Sequence, residues 1–224
     1  MTRAPRRTVR SAALAGAAAL LLAGCGGLQP GTAASVEGRE IPMSQVDDTA
    51  TVLCTLSEEQ IEAQGTPVPL VNFRRQALAG QVLEEAARTI AAERDLEVQP
   101  PYDEVLSQQR ATIEQLPEDQ RGTFEEVVRS ETYTGAVLEE LGSEADAAGQ
   151  PQAQQQAGLE VVVGWLQEAD TEIAPQFDMA VGEQGLVRQE AGTSTPVGEF
   201  ATGLAQDQPD PAVTGSLPPS QVCG

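Results

Sequence analysis

Between Ser44 and Ala169 the apolar residues return mostly at three- and four-residue intervals, the period of an amphipathic helix rather than of a strand. The clearest stripe is Leu78, Val82, Ala86 and Ile90, one residue per turn, with Gln81, Glu84, Glu85, Arg88 and Asp95 assigned to the opposite side. It predicts a long helix within Leu70 to Leu96, in which Glu84 and Arg88 can pair at i, i+4. Before it, Val46, Ala50, Leu53 and Cys54 share one face of a helix that Ser44 and Asp47 open as a capping box, and Gly65 to Pro69 breaks the chain. After it, Pro100-Pro101 starts a helix bearing Tyr102, Val105, Leu106, Gln109, Ile113 and Leu116 on one side. Thr123 and Glu126 cap a fourth, which carries Phe124, Val127, Val128, Leu138 and Leu141 and stops at Gly142. Ser143 to Gln156, acidic and then Gln-rich, reads as a loop or loosely wound segment, and a last helix runs from about Ala157 to Ala169 with Leu159, Val162, Val163 and Leu166 beside Trp165.

Two short stretches break the helical period. Ala34 to Ile41 reads as a strand, a turn at Glu37-Gly38 and a returning strand, whereas Thr171 to Val181 alternates weakly around Pro175 and is at most an irregular edge strand. From Ala191 the chain is rich in Pro and Gly and reads as an extended tail. The aromatic residues number seven, four Phe, two Tyr and one Trp, so the core must be built from Ala, Val and Leu in slender helices. The expected class is mainly α.

The amino terminus has its own pattern. Arg3, Arg6, Arg7 and Arg10 precede an uncharged, largely apolar stretch from Ser11 to Gly24, the layout of an export signal too short to span a bilayer comfortably. Leu22-Ala23-Gly24-Cys25 resembles the bacterial lipobox, which implies cleavage before Cys25 and acyl chains, palmitate among them, on that residue. An ordinary secretory signal with an incidental Cys is the alternative. Arg6-Arg7 matches a twin-arginine signal poorly because of its neighbours, so the general secretory route is expected. The expected organisation is then a signal peptide at 1–24, a lipid-anchored tether at 25–33, a helical domain at 34–181 and a tail at 182–224.

Charge and cysteine content sharpen the picture. All 13 basic residues are Arg, set against 34 acidic residues, and there is no Lys or His. Loss of the signal removes four Arg and no acid, which takes the net charge from −21 to −25. Such a chain repels a polyanion, so nucleic acid is an unsuitable partner. Without His or Lys, imidazole general bases, Schiff bases and P-loop phosphate cradles are excluded, and no cofactor is expected. The Glu doublets beginning at Glu58, Glu84, Glu125 and Glu139 suit solvated helix faces, and Asp207 to Asp210 lacks the spacing of a calcium loop. A non-catalytic protein is the expectation. With Cys25 assigned to lipid, Cys54 and Cys223 remain as an even pair in an oxidising compartment, where a disulfide is the natural reading. A redox-active thiol would want a C-x-x-C spacing or a neighbouring cation, and neither is present.

The order Ala34-Ser35-Val36-Glu37-Gly38, Ile41 and then Ser44 resembles the start of the SurA-like and trigger-factor-like chaperone domain, whose mature body opens on a strand close to Val-Asn-Gly, a turn and a helix begun by Ser or Thr. Glu37 stands where that pattern has Asn. Actinobacterial lipoproteins of this type carry a late strand near Asn-Pro-Arg-Tyr-Gly, and Ala174-Pro175-Gln176-Phe177-Asp178 keeps its Pro and its aromatic. The resemblance spans roughly residues 34 to 181 and implies a helical peptide-binding domain in which the short N-terminal strand pairs a short C-terminal one. It further implies an extracytoplasmic, membrane-anchored lipoprotein that clasps unfolded or exported polypeptides without isomerase activity, since a parvulin domain would need about 90 more residues. The competing expectation is a non-catalytic envelope scaffold that binds one folded partner. Trp165 with Val161, Val162 and Val163 is a candidate groove lining or simply core.

Overall fold

The structure, a computed structural model, describes residues 28–145, 150–189 and 211–224. Cys25 and the export signal therefore lie outside the described residues, as do residues 190–210 of the tail.

Strands β1 (Thr32–Val36) and β2 (Arg39–Pro42) pair antiparallel around Glu37 and Gly38, whose φ angles of 49° and 75° are the two positive values that a tight two-residue hairpin requires. Gly38 takes that conformation freely and Glu37 does not. Glu37 has a second role, because its Oε1 accepts the Asp170 N–H at 2.8 Å while its own N–H reaches the Asp170 carbonyl at 2.8 Å. The turn is thereby tied to β4 (Thr171–Ile173), which pairs antiparallel with the other edge of β1. The sheet order is β2-β1-β4, so the first strand of the body does pair with one from beyond the helices. β1 begins at Thr32, with Ala33 fully buried, so the expected tether at 25–33 gives way to ordered, packed chain before its end.

Helix α1 (Met43–Gln64) follows β2 directly, with Pro42 at its N-cap and no side-chain cap; Ser44 and Asp47 do not form the expected box. Asp47 is drawn away by Arg74, whose Nε donates to it at 2.6 Å. Gly65, left-handed at φ 66°, ends the helix as the sequence suggests, and two-residue β3 (Val68–Pro69) leads into α2 (Leu70–Glu93). Leu78, Val82, Ala86 and Ile90 are all completely buried. At roughly 1.5–3 kcal/mol for each Leu, Val or Ile side chain, this stripe is a major source of stability. Gln81 departs from its assignment to the solvent side: α2 lies between α1, α5, α6 and the sheet, so more than one of its faces is covered.

The helix expected over residues 102–116 divides at Gln109 into α3 (Tyr102–Gln108) and α4 (Arg110–Gln115). α5 (Glu118–Ala145) starts five residues before Thr123, with Pro117 ahead of it and Glu118 and Asp119 in a first turn that favours negative charge. It also continues through Gly142. The stretch 143–156, expected as a loop or loosely wound segment, is helical at most of its described residues, because α5 runs to Ala145 and α6 (Pro151–Glu168) begins at a proline, the residue best suited to a first helical turn. α5 and α6 cross so closely that Gly142 lies against the Gln154 backbone and Gly158 against the Leu138 backbone. Gly142 is thus a packing glycine, not a helix stop.

Beyond β4, a 3-10 turn at Pro175–Phe177 buries Phe177 and ends at Asp178, which is left-handed at φ 49°. Arg75 holds this corner, with Nε donating to the Phe177 carbonyl at 2.8 Å and Nη2 to Asp178 at 3.3 Å. A hairpin of β5 (Met179–Gly182) and β6 (Gly185–Arg188) then straddles the expected boundary at 181/182. The described tail is not wholly extended. It contains α7 (Pro211–Thr214), a 3-10 turn at Pro219–Gln221, and β7 (Val222–Cys223), which pairs with β3. Cys54 on α1 and Cys223 on β7 are joined as a disulfide, with Cα atoms 5.6 Å apart. No helix among the described residues is long and apolar enough to cross a membrane.

Candidate functional site

The apolar interior forms two clusters. The larger unites the sheet, α1, α2 and α6 with Val137 and Leu141 of α5. The smaller sets Phe124 and Val128 of α5 against Val52 and Leu116, with Val105, Leu106 and Ile113 of α3 and α4 outside them. α5 therefore belongs to one cluster through its C-terminal half and to the other through its N-terminal half.

A groove of about 890 Å³ opens between them, bounded by α1, α2 and α5. Gly80 and Gly135 line it, and at neither would an added Cβ meet an atom within 4 Å. With Ala77 beside them, these positions leave space that a larger side chain would occupy. Leu53, Leu83, Val127 and Leu138 supply apolar wall.

Gln81 and Thr134 give the groove its polar character. Both are more than nine-tenths buried, at 8% and 6% exposure. The Gln81 amide nitrogen donates to the Thr49 hydroxyl at 3.1 Å and to the Gln45 carbonyl at 3.3 Å. Since only an NH₂ group can serve that carbonyl, the orientation of the amide is set, and its Oε1 is left without a protein partner. Thr134 Oγ1 has none either. Thr51, Thr89 and Thr132 each give their hydroxyl to the carbonyl four residues back, at 2.9, 2.9 and 2.6 Å, and Thr134 does not. A buried acceptor and a buried hydroxyl beside an apolar wall are costly unless something hydrogen-bonds to them.

Six ionisable groups line the groove: Asp48, Glu84, Arg88, Glu126, Arg129 and Glu131. Glu84 and Arg88 neutralise each other, with Arg88 Nη2 donating to Glu84 Oε1 at 2.6 Å and its guanidinium lying 4.6 Å from the Tyr133 ring centre. Arg129 stacks over Tyr102 of α3 at 5.6 Å. Partial desolvation raises the Glu131 carboxyl above its ordinary value, although the residue is exposed.

The residues singled out from sequence fall elsewhere. Cys54 neighbours the groove-lining Leu53 but is bonded to Cys223, and Cys25 lies outside the described residues. Trp165 packs against the main cluster and donates its indole N–H to Glu93 at 3.2 Å, away from the groove. Of the Glu doublets, Glu84 and Glu85 are engaged by Arg88 and Arg39, and no group of His, Cys, Asp and Glu among the described residues is arranged to hold a metal ion. The sequence pattern places Gln81 on the polar side of α2 and does not single out Thr134, Gly80 or Gly135, because the groove exists only where three helices meet. The one local hint was glycine inside strongly helical segments, where it costs about 1 kcal/mol relative to Ala and wants a packing or functional reason. The chain matches no protein-family model, no curated protein and no solved structure with which it was compared.

Proposed function

We propose that the protein is an extracytoplasmic, lipid-anchored, SurA-like polypeptide-binding protein without isomerase activity, and that the groove between α1, α2 and α5 holds an apolar segment of an unfolded or exported chain. The groove is the observation that carries this reading. Its volume of about 890 Å³ lies in the range of roughly 300–1,000 Å³ typical of ligand cavities. Its apolar wall would bury client side chains, while Gln81 Oε1 and Thr134 Oγ1 would accept main-chain N–H groups that every polypeptide carries. Further support comes from the left-handed turn at Glu37-Gly38, the β1–β4 pairing, and the left-handed Asp178 at the place where the family motif has Gly. The Leu22-to-Cys25 motif supports the anchor.

Gly80→Phe provides the test, since a Cβ there meets no atom within 4 Å and the position lines the groove. The mature protein should suppress aggregation of an unfolded exported protein at equimolar ratio, and the variant should fail to do so with a melting temperature no lower than that of the unaltered protein. Absence of suppression by the unaltered protein at tenfold excess overturns the proposal. Mass spectrometry of the membrane-extracted protein tests the anchor, the expected result being a diacylglycerol adduct on Cys25.

A further inference from the structure

We infer that the groove selects positively charged polypeptide segments, with Asp48, Glu126 and Glu131 pairing cationic side chains while Gln81 and Thr134 hold the main chain. This rests on the polypeptide-binding reading and adds the class of segment to it.

The argument is one of charge left over. Glu84 is satisfied twice, by Arg88 at 2.6 Å and by the Ser130 hydroxyl at 2.5 Å. Arg129 is drawn over Tyr102 on α3. Asp48 on one wall and Glu126 and Glu131 on the other have no ion-pair partner among the described residues, so three acids stand against one outward-stacked Arg. All three acids are exposed on the groove walls, where a bound ammonium or guanidinium can reach them, and partial desolvation of the Glu131 carboxyl, which raises it, has no cation to offset it. The floor contributes independently. The nine-tenths-buried Gln81 has committed its amide hydrogens to Thr49 and Gln45 and keeps only an acceptor, which favours an N–H group, while the nine-tenths-buried Thr134 hydroxyl can serve either main-chain group. A Lys- or Arg-bearing segment meets both requirements, and an acidic segment would meet like charge.

Three labelled peptides sharing one apolar centre and flanked by Lys, Asn or Glu decide the matter by fluorescence anisotropy. At about 20 mM salt the Lys peptide should bind about tenfold more tightly than the Asn peptide and the Glu peptide most weakly, with the preference falling below about twofold at 0.5 M salt. In the double variant Glu126→Gln/Glu131→Gln, the ratio of Lys-peptide to Asn-peptide affinity should fall below about twofold. A matched charge change outside the groove, Glu58→Gln/Glu59→Gln on exposed α1 positions, should preserve it. Equal binding of all three peptides overturns the inference and leaves the polypeptide-binding reading standing. A preference that survives in the groove variant, or that is lost equally in the α1 variant, also overturns it, since attraction would then come from the net charge of the whole chain. If no peptide binds, the Asn peptide included, the polypeptide-binding reading falls first and the charge selection with it.

Discussion

Replacing Gly142 or Gly158 by Ala reverses the usual effect of a helical Gly→Ala change. In an exposed helix that substitution stabilises by about 1 kcal/mol, because Gly gives up more backbone freedom on folding. Gly80, Gly122, Gly135 and Gly164 should all behave this way, since a Cβ at any of them meets nothing within 4 Å. At Gly142 a Cβ would overlap the Gln154 carbonyl and stand 2.8 Å from its Cα, and at Gly158 it would do the same to Leu138. The obstacle is backbone, which cannot swing aside, so α6 as a whole must withdraw from α5. Withdrawal loosens Val137 and Leu141 on one helix and Val162 and Leu166 on the other, all of them almost completely buried. Forced repacking of this kind costs about 1–3 kcal/mol, and partial exposure of two such side chains adds about 1–2 kcal/mol. After subtraction of the helix-propensity gain, each variant should be less stable by about 2 kcal/mol. For a chain of this size that lowers the melting temperature by about 4–8 °C, whereas Gly80→Ala should raise it by about 2–4 °C. Because both glycines serve one crossing, the double variant should lose less than the sum of the single ones. Thermal unfolding followed by far-ultraviolet circular dichroism reads all of this with the disulfide intact. A rise in melting temperature for Gly142→Ala and Gly158→Ala, like that for Gly80→Ala, would refute the close crossing.

Other outcomes follow from the same structure. The double variant Cys54→Ser/Cys223→Ser opens a loop of sequence separation 169, for which chain entropy predicts a loss of up to about 5 kcal/mol; an unaltered melting temperature with and without dithiothreitol would contradict it. Glu131 binds its proton more tightly in the fold than in the unfolded chain, so its contribution to stability falls as pH rises from the ordinary Glu value through the raised one. Glu131→Gln should therefore stabilise at pH 7 and have no effect at pH 3 and below, and an equal effect in urea melts at both pH values would show that desolvation is not the cause. Phe177→Ala should cost about 3–5 kcal/mol in the same melts, because the ring is 1% exposed and closes the corner between β4 and β5; a loss below about 1 kcal/mol would contradict that placement.

The elements read most accurately from sequence are those whose cause is local. The stripe Leu78, Val82, Ala86 and Ile90 repeats at the helical period and is buried without exception, because the side that carries most apolar surface must turn inward wherever the helix lies. The hairpin at Glu37-Gly38 and the stop at Gly65 were equally visible, since a glycine at a break in periodicity is the cheapest route to a left-handed residue. Helix starts differ from the sequence pattern at Ser44 and Thr123, where Pro42 and Pro117 precede the actual first turns and Asp47 is engaged by an Arg 27 residues away. A capping side chain competes with distant partners that local sequence does not reveal.

Gly142 separates the two sources of information most sharply. As a residue type it signals either a helix end or a close contact, and only the backbone of Gln154 against it makes it the latter. The groove belongs to the same category: Gly80 and Gly135 lie 55 positions apart and become one cavity when α2 and α5 face each other, and Gln81 becomes a buried bridge to Thr49 when α1 closes over it. What the chain determined alone was a slender, strongly acidic, mainly helical body with no imidazole or amine for catalysis. Where that body opens, and which polar atoms it leaves unpaired there, was decided by tertiary packing, because a space between helices is a property of their relative placement and of no single segment.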